Sequence, residues 1–179
     1  MQGQLLIAHP LLFDGFFNRS VIYLTNHSEE GAIGFSLNFK TQFVLRDVRP
    51  QVKNGNFPIY EGGPVAKNQL FFLHTLGHDL PDSVHVADNI FLGGDFNELI
   101  HMIEHGKVRS YEVRFFAGYS GWSENQLEEE IGHKHWLVNA PAGTGFLMNE
   151  PDDLWGLQLS EVKNSYSIFA DFGSDPSMN

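Results

Sequence analysis

The sequence predicts an α+β domain built on a largely antiparallel or mixed β-sheet. Strand-like segments crowd the first half, and helical periodicity is confined to short stretches that come late. The two never alternate with the regularity of a parallel βαβ fold. Of the 179 residues, 42% are hydrophobic and 16 are Phe, enough to build one sizeable core. No repeat, low-complexity tract or linker interrupts the chain, so residues 1–179 read as a single domain.

The first clear strand is Val21-Ile22-Tyr23-Leu24-Thr25, rich in β-branched and aromatic residues. A polar loop from His27 to Glu30 leads into Gly31-Ala32-Ile33-Gly34-Phe35-Ser36-Leu37-Asn38, which makes the pair a hairpin. Gly31 and Gly34 within it predict a bulge or the close approach of another backbone. Further strands are expected at Ile59–Glu61, Leu70–His74 and Ile90–Leu92. Asp95 and Glu98 then form a capping-box pair, and Phe96, Leu99, Ile100 and Ile103 follow on one helical face. Gly106 sits where that helix wants a left-handed residue after its end.

Tyr111–Ala117 reads as a strand. Ser123 and Gln126 open a second helix with Leu127 and Ile131 inward and Glu128, Glu129 and Glu130 outward. Strands at Trp136–Val138 and Gly145–Met148 follow, and Pro151 with Asp152 and Asp153 starts a short third helix through Trp155.

Charge narrows the function classes. The chain carries 11 Lys plus Arg against 22 Asp plus Glu, a formal net charge of −11. Residues 121–179 alone hold 10 acids and 2 bases. The densest basic stretch, Arg46, Arg49 and Lys53, makes no stripe, so direct nucleic-acid binding is not expected. There are no cysteines, which excludes disulfides, thiol nucleophiles and Cys-ligated metal. The N-terminus lacks a basic leader region and no apolar run is long enough to span a bilayer, so a cytoplasmic protein with no membrane partner is expected.

Motifs for catalysis are weak. His101-Met102-Ile103-Glu104-His105 fits the inverted zinc-protease pattern. Its two His, however, fall opposite Phe96, Leu99 and Ile103 on an amphipathic helix, which reads as a solvated face near a helix end. A Ser20, His27 and Asp14 triad can only be assembled on paper. Ser120 lacks the spacing of a nucleophile elbow, and Gly143-Thr144-Gly145 lacks the Lys of a phosphate loop.

Three segments carry more than packing requires. Glu61-Gly62-Gly63-Pro64-Val65 is a shaped turn that could aim backbone amides at a ligand. Gly118-Tyr119-Ser120-Gly121-Trp122 puts two aromatics among glycines just before a helix N-terminus. Arg19 precedes one hairpin strand and Asn38 ends the other, so the two are expected to be neighbours.

These same segments resemble a known family. Phe16-Phe17-Asn18-Arg19-Ser20-Val21 with Gly31–Asn38 resembles its first signature, and Gly62-Gly63-Pro64-Val65 with His74 resembles the second. Gly118–Ser123 with Gln126-Leu127-Glu128 and Trp136-Leu137 resembles the third, and Asp175–Asn179 resembles a tail of one branch. The chain is thus similar, in order and over nearly its whole length, to the YqgE/AlgH family of bacterial proteins. Gly15, where many members have Pro, and Phe39-Lys40 after Leu37-Asn38 depart from the pattern. The resemblance implies a cytosolic bacterial protein whose α+β domain has a curved, bulged, barrel-like sheet with helices around it. It carries over no catalytic residue, and it brings the name of transcriptional regulator, given to some members.

The function expected is therefore binding rather than catalysis, with no cofactor and no metal. A pocket is expected where Arg19, Asn38, Gly62, Gly63, Tyr119, Gly121, Trp122 and Gln126 converge, with Pro64 and His74 joining from the second signature. Arg19 would supply charge for a small anionic ligand, the glycines close backbone approach, and the aromatics a wall. The alternative is a regulator that works through a protein partner, and a metal-dependent hydrolase ranks last.

Overall fold

The computed structural model describes residues 1–12, 15–140, 144–145 and 153–162. Among them the strands are β1 Leu5–Ala8, β2 Val21–Ser28, β3 Gly31–Ser36, β4 Lys40–Val44, β5 Pro58–Glu61, β6 Val65–His74, β7 Val84–Ala87, β8 Ile90–Leu92, β9 Val113–Ser123 and β10 Trp136–Asn139. The helices are α1 Leu45–Val48, α2 Phe96–Glu104, α3 Gln126–Gly132 and α4 Leu154–Glu161, with a 3₁₀ turn at Gly77–Asp79.

One sheet runs β10-β1-β2-β3-β9-β6-β8-β7, and β5 joins β4 to β9 off this path. Every pairing is antiparallel except β5 with β9. The α+β architecture read from the sequence is therefore the one observed, and the sheet is mixed through a single parallel pair.

Side chains alternate between faces because the strand period is two. Along β1 and β2, Leu5, Ile7, Val21 and Tyr23 enter one core, while Leu6, Ala8, Ile22 and Leu24 enter another beneath α3. A third core gathers Leu99, Met102 and Ile103 of α2 against Phe72, Val113 and Phe115. The first core also takes Trp155 and Leu159 of α4 and reaches Val86 and Ile90 near the far end of the sheet. The two ends thereby meet. Gln2 Nε2 donates to Val86 O at 2.9 Å, and a Cβ on Gly3 would stand 2.6 Å from Ala87 Cβ. The sheet is curved and barrel-like but not closed, since β10 and β7 remain its two ends.

The hairpin expected at residues 21–38 is β2–β3, bulged between Leu24 and Asn26. Its loop is shorter than expected because β2 runs on to Ser28, whose Oγ accepts from the Glu30 amide at 3.2 Å. β9 likewise continues through Ser123. At Gly118 (φ +72°) the face parity flips: Phe116 and Tyr119, three apart, both turn to the first core. Glycine permits that left-handed bulge without a Cβ penalty. β1, β4 and β7 were not anticipated as strands. β1 is an unbroken apolar run of four, while β4 is a mostly exposed edge, so neither alternates cleanly.

The third helix was expected to end at Trp155. It continues to Glu161, with Asp153 Oδ1 accepting from the Gly156 amide at 2.8 Å. The strand expected at 145–148 and the Pro151 start lie outside the described residues, Gly145 apart. No helix among the described residues is long and apolar enough to cross a membrane.

Candidate functional site

Arg19 and Asn38 meet as expected. Arg19 takes a left-handed backbone (φ 55°), its carbonyl accepts from Asn38 Nδ2 at 2.9 Å, and Asn38 Oδ1 accepts from the Val21 amide at 2.9 Å. The amide side chain thus does the work of a peptide group, tying the loop before β2 to the strand after β3. The Arg19 guanidinium lies 5.1 Å over the Trp155 ring.

The structure adds Arg114, which sequence reading missed. An Arg between Val113 and Phe115 looks like the solvent side of a strand, yet both faces of β9 are covered and Arg114 is only 5% exposed. Its Nη1 donates to Leu37 O at 3.2 Å, next to Asn38, and its guanidinium lies 4.5 Å over Tyr60. Burial pulls its pKa down to about 10, so it stays cationic at neutral pH. The hydroxyls of Tyr60, Ser20 and Ser36 are buried beside these elements without a hydrogen-bond partner.

The other expected residues serve the fold's own contacts. Gly62 donates its amide to Ala117 O at 2.9 Å, and its carbonyl accepts from the Ser36 amide and from Ser120 Oγ. A Cβ on Gly63 would lie 2.0 Å from the Tyr119 carbonyl carbon. The backbone this turn approaches is therefore β9. Pro64 and Gly121 are exposed, and the half-buried Tyr119 ring packs edge-on to Phe71 at 5.6 Å.

Trp122 and Trp136 turn inward, and both indole N–H groups donate to Glu130 Oε2, at 2.9 and 2.7 Å. Gln126 Oε1 accepts from the Ser123 amide and hydroxyl, and its Nε2 donates to Glu130 Oε1 at 2.9 Å. Glu130, expected to face outward, is the hub of α3's packing.

His74 is wholly buried at the opposite end of β6 from Val65 and stays apart from the rest. Its Nδ1 accepts from the Leu76 amide at 3.2 Å, and its Nε2 lies 2.8 Å from Gly93 O and 3.0 Å from Ser83 Oγ. Burial pushes its pKa below the usual histidine value.

The His101–Glu104–His105 motif stays on the surface. The two rings lie 4.1 Å apart, but Glu104 Oε1 is taken by the Asn54 amide at 2.8 Å. No cluster of three metal-ligating side chains exists among the described residues. Ser20 and His27 sit at opposite ends of β2, roughly 20 Å apart by strand rise, and His27 pairs with Glu128 at 2.6 Å. Asp14, the third member of that paper triad, lies outside the described residues.

Among the described residues, concavities open at two places that none of the ten expected residues lines. One, of about 410 Å³, is a groove with β4 and α1 on one bank (Thr41, Phe43, Val48, Arg49) and β6 on the other (Lys67, Asn68, Gln69, Leu70). Ile59, Glu61 and Ala117 form its floor. The other, of about 460 Å³, is lined by His9, Leu11, Leu12, His133, Lys134 and His135.

Fold and surface together define a single α+β domain with concavities on its surface. Neither the His101–Glu104–His105 motif nor the Ser20–His27 pair is assembled into a site. The model of the AlgH-like family matches residues 5–167, and the chain belongs to that family.

A UPF0301 protein of Parabacteroides distasonis is 38% identical over 181 residues, covering 100% of this chain and 91% of the relative. One from Bacteroides thetaiotaomicron is 35% identical over 179 residues, covering 99% and 91%. The solution structure of the AlgH protein from Pseudomonas aeruginosa superposes with a TM-score of 0.74 at 26% identity, covering 96% of this chain and 94% of that one. Protein DIP2367 from Corynebacterium diphtheriae gives 0.78 at 23% identity, covering 96% and 92%, a likeness of fold alone.

Proposed function

We propose that this protein is a non-catalytic binding protein that takes an acidic, partly apolar segment of a protein partner in the groove between β4–α1 and β6. The observation that carries the reading is a local reversal of charge around an apolar concavity. Residues 40–67 hold five of the chain's 11 basic residues (Lys40, Arg46, Arg49, Lys53 and Lys67) and only two acids, Asp47 and Glu61. Of these, Arg49, Lys67 and Glu61 line the groove, with Lys67 Nζ paired to Glu61 Oε1 at 2.7 Å; the rim exposes Phe43 (47%) and Val48 (39%), and the floor is Ile59 and Ala117.

Apolar rim residues among cations suit a peptide of mixed Asp, Glu and large apolar residues. A nucleic-acid backbone would leave Phe43 and Val48 uncovered, and it would approach a molecule whose net charge of −11 repels it. β4 pairs with β5 along one edge and is an edge strand, so an extended segment could also add main-chain hydrogen bonds.

The test uses a short fluorescein-labelled peptide alternating Glu with Leu and Phe, and its counterpart with Lys in place of Glu. Fluorescence anisotropy should show the Glu peptide binding with a Kd about tenfold or more below that of the Lys peptide. The doubly substituted Phe43→Ser, Arg49→Glu protein should lose that preference while keeping its circular dichroism. Equal binding of the two peptides, or unchanged binding by the variant, overturns the reading.

A further inference from the structure

The second cavity lies away from the groove, where β1 ends against the turn joining α3 to β10. The ladder between β1 and β10 runs one residue past the Ala8–Trp136 pair, as the His9 amide donates to His135 O at 2.9 Å. This bond sets His9, Leu11 and Leu12 on one wall and His133, Lys134 and His135 on the other, enclosing about 460 Å³.

The His133–His135 wall is shaped by the end of α3. The Lys134 amide donates to Ile131 O and the His135 amide to Glu130 O, both at 2.9 Å, while Lys134 adopts φ 61°. That is a Schellman cap with Lys in the left-handed position where Gly is usual. The His133 amide takes Glu129 O at 2.9 Å, so three carbonyls of the helix's negative end are already satisfied. The His133 and His135 rings stand 5.9 Å apart.

On the opposite wall, His9 Nδ1 accepts from the Leu11 amide at 3.1 Å, which places the proton of the neutral ring on Nε2. Among the residues that line the cleft, Lys134 carries a formal positive charge. The acids of α3 are largely engaged elsewhere: Glu128 pairs with His27, and Glu130 holds the two indoles. Glu129 stands one helical turn before His133. His9 itself is pushed below the usual histidine pKa by burial first, then by Lys134 and His135, as expected inside a positive local field.

We propose that this cleft binds a small organic anion, its carboxylate or phosphate head held by Lys134 with the imidazoles of His133 and His135, and its apolar body against Leu11 and Leu12. A lysine among the lining residues favours an anion over a metal ion, and no three-donor metal group exists among the described residues.

Benzoate and phenylphosphate, each titrated into the ¹⁵N-labelled protein and followed by amide chemical shifts, test the site. Shifts should concentrate at Leu11, Leu12 and His133–His135. Whichever probe binds more tightly assigns the head as carboxylate or phosphate.

Lys134→Gly separates charge from structure, because glycine is the residue the left-handed cap prefers and the fold should be kept or made more stable. Its affinity for both probes should fall several-fold at unchanged or raised Tm. An absence of shifts at these amides, or full affinity in Lys134→Gly, would overturn the proposal.

Discussion

The imidazole of His74 shows how a residue marked by its type in the sequence takes its role from its surroundings. It is wholly buried, its Nδ1 accepts from the Leu76 amide, and its Nε2 faces Gly93 O and Ser83 Oγ. Both bonds to backbone suit the neutral ring, and a proton on Nδ1 would meet the Leu76 N–H head-on. Because burial lowers its folded pKa, the unfolded chain binds the proton more readily.

Stability is then intact above the unfolded value near 6.5 and falls as pH drops through the folded one. His9, lowered in the same direction, adds to the slope. Urea titrations at about pH 7.5 and about pH 5.5 should show the protein less stable in acid. His74→Gln should be less stable at the higher pH yet lose less on acidification. An equally steep loss in that variant would place the acid sensitivity elsewhere.

Among the elements, α3 repays comparison with its sequence. The pattern Leu127, Ile131 inward and Glu128–Glu130 outward placed the helix correctly, and Leu127 is indeed buried. What the pattern hid is that Glu130 reaches back to two indoles, Trp122 at 6% and Trp136 at 2% exposure. Glu130→Ala should therefore leave two buried donors unpaired and cost about 2 kcal/mol of stability. Glu130→Gln, which keeps an acceptor oxygen, should cost less. Denaturation monitored by tryptophan fluorescence checks both.

α2 was legible for a local reason. Asp95 Oδ1 accepts from the Asn97 and Glu98 amides at 2.8 and 3.1 Å, so the cap sits where the residues put it. Glu98 does not complete the box; it lies 3.7 Å from the His101 ring. Of the strands that escaped detection, β1 is held by partners distant in sequence, residues 21–23 and 136–139, and β4 by β5, whereas β7 is short and forms a local hairpin with β8.

Across the whole molecule, curvature brings the two ends of an open sheet into contact without pairing them. Gly3 stands at that contact with φ +82°, and a Cβ there would come within 2.6 Å of Ala87 Cβ. Gly3→Val should cost roughly 2 kcal/mol or more, from left-handed strain and overpacking together. It should also loosen β7 before β2, visible as faster hydrogen exchange of the Val84–Ala87 amides. Uniform loss of protection across the sheet would mean that the end-to-end contact has no local role. Charge is also organised along the chain, with five of the 11 basic residues in residues 40–67 and most of the net acidity in residues 121–179.

By itself the sequence determined the class of fold, the main hairpin, α2 and α3, the family, and the meeting of Arg19 with Asn38. Each rests on local periodicity, capping chemistry, matched segments or residues brought together by one hairpin. Only the tertiary structure decided that the Gly62–Gly63 turn serves β9, that Glu130 and Arg114 are drawn inward, and that two concavities form at β4–β6 and at the end of α3. The reason is that burial and charge environment depend on what covers each face. In a curved sheet covered on both sides, much of that covering comes from elements distant in sequence, as when Arg114 donates to Leu37 O or Trp155 donates its indole N–H to Ala8 O at 2.8 Å.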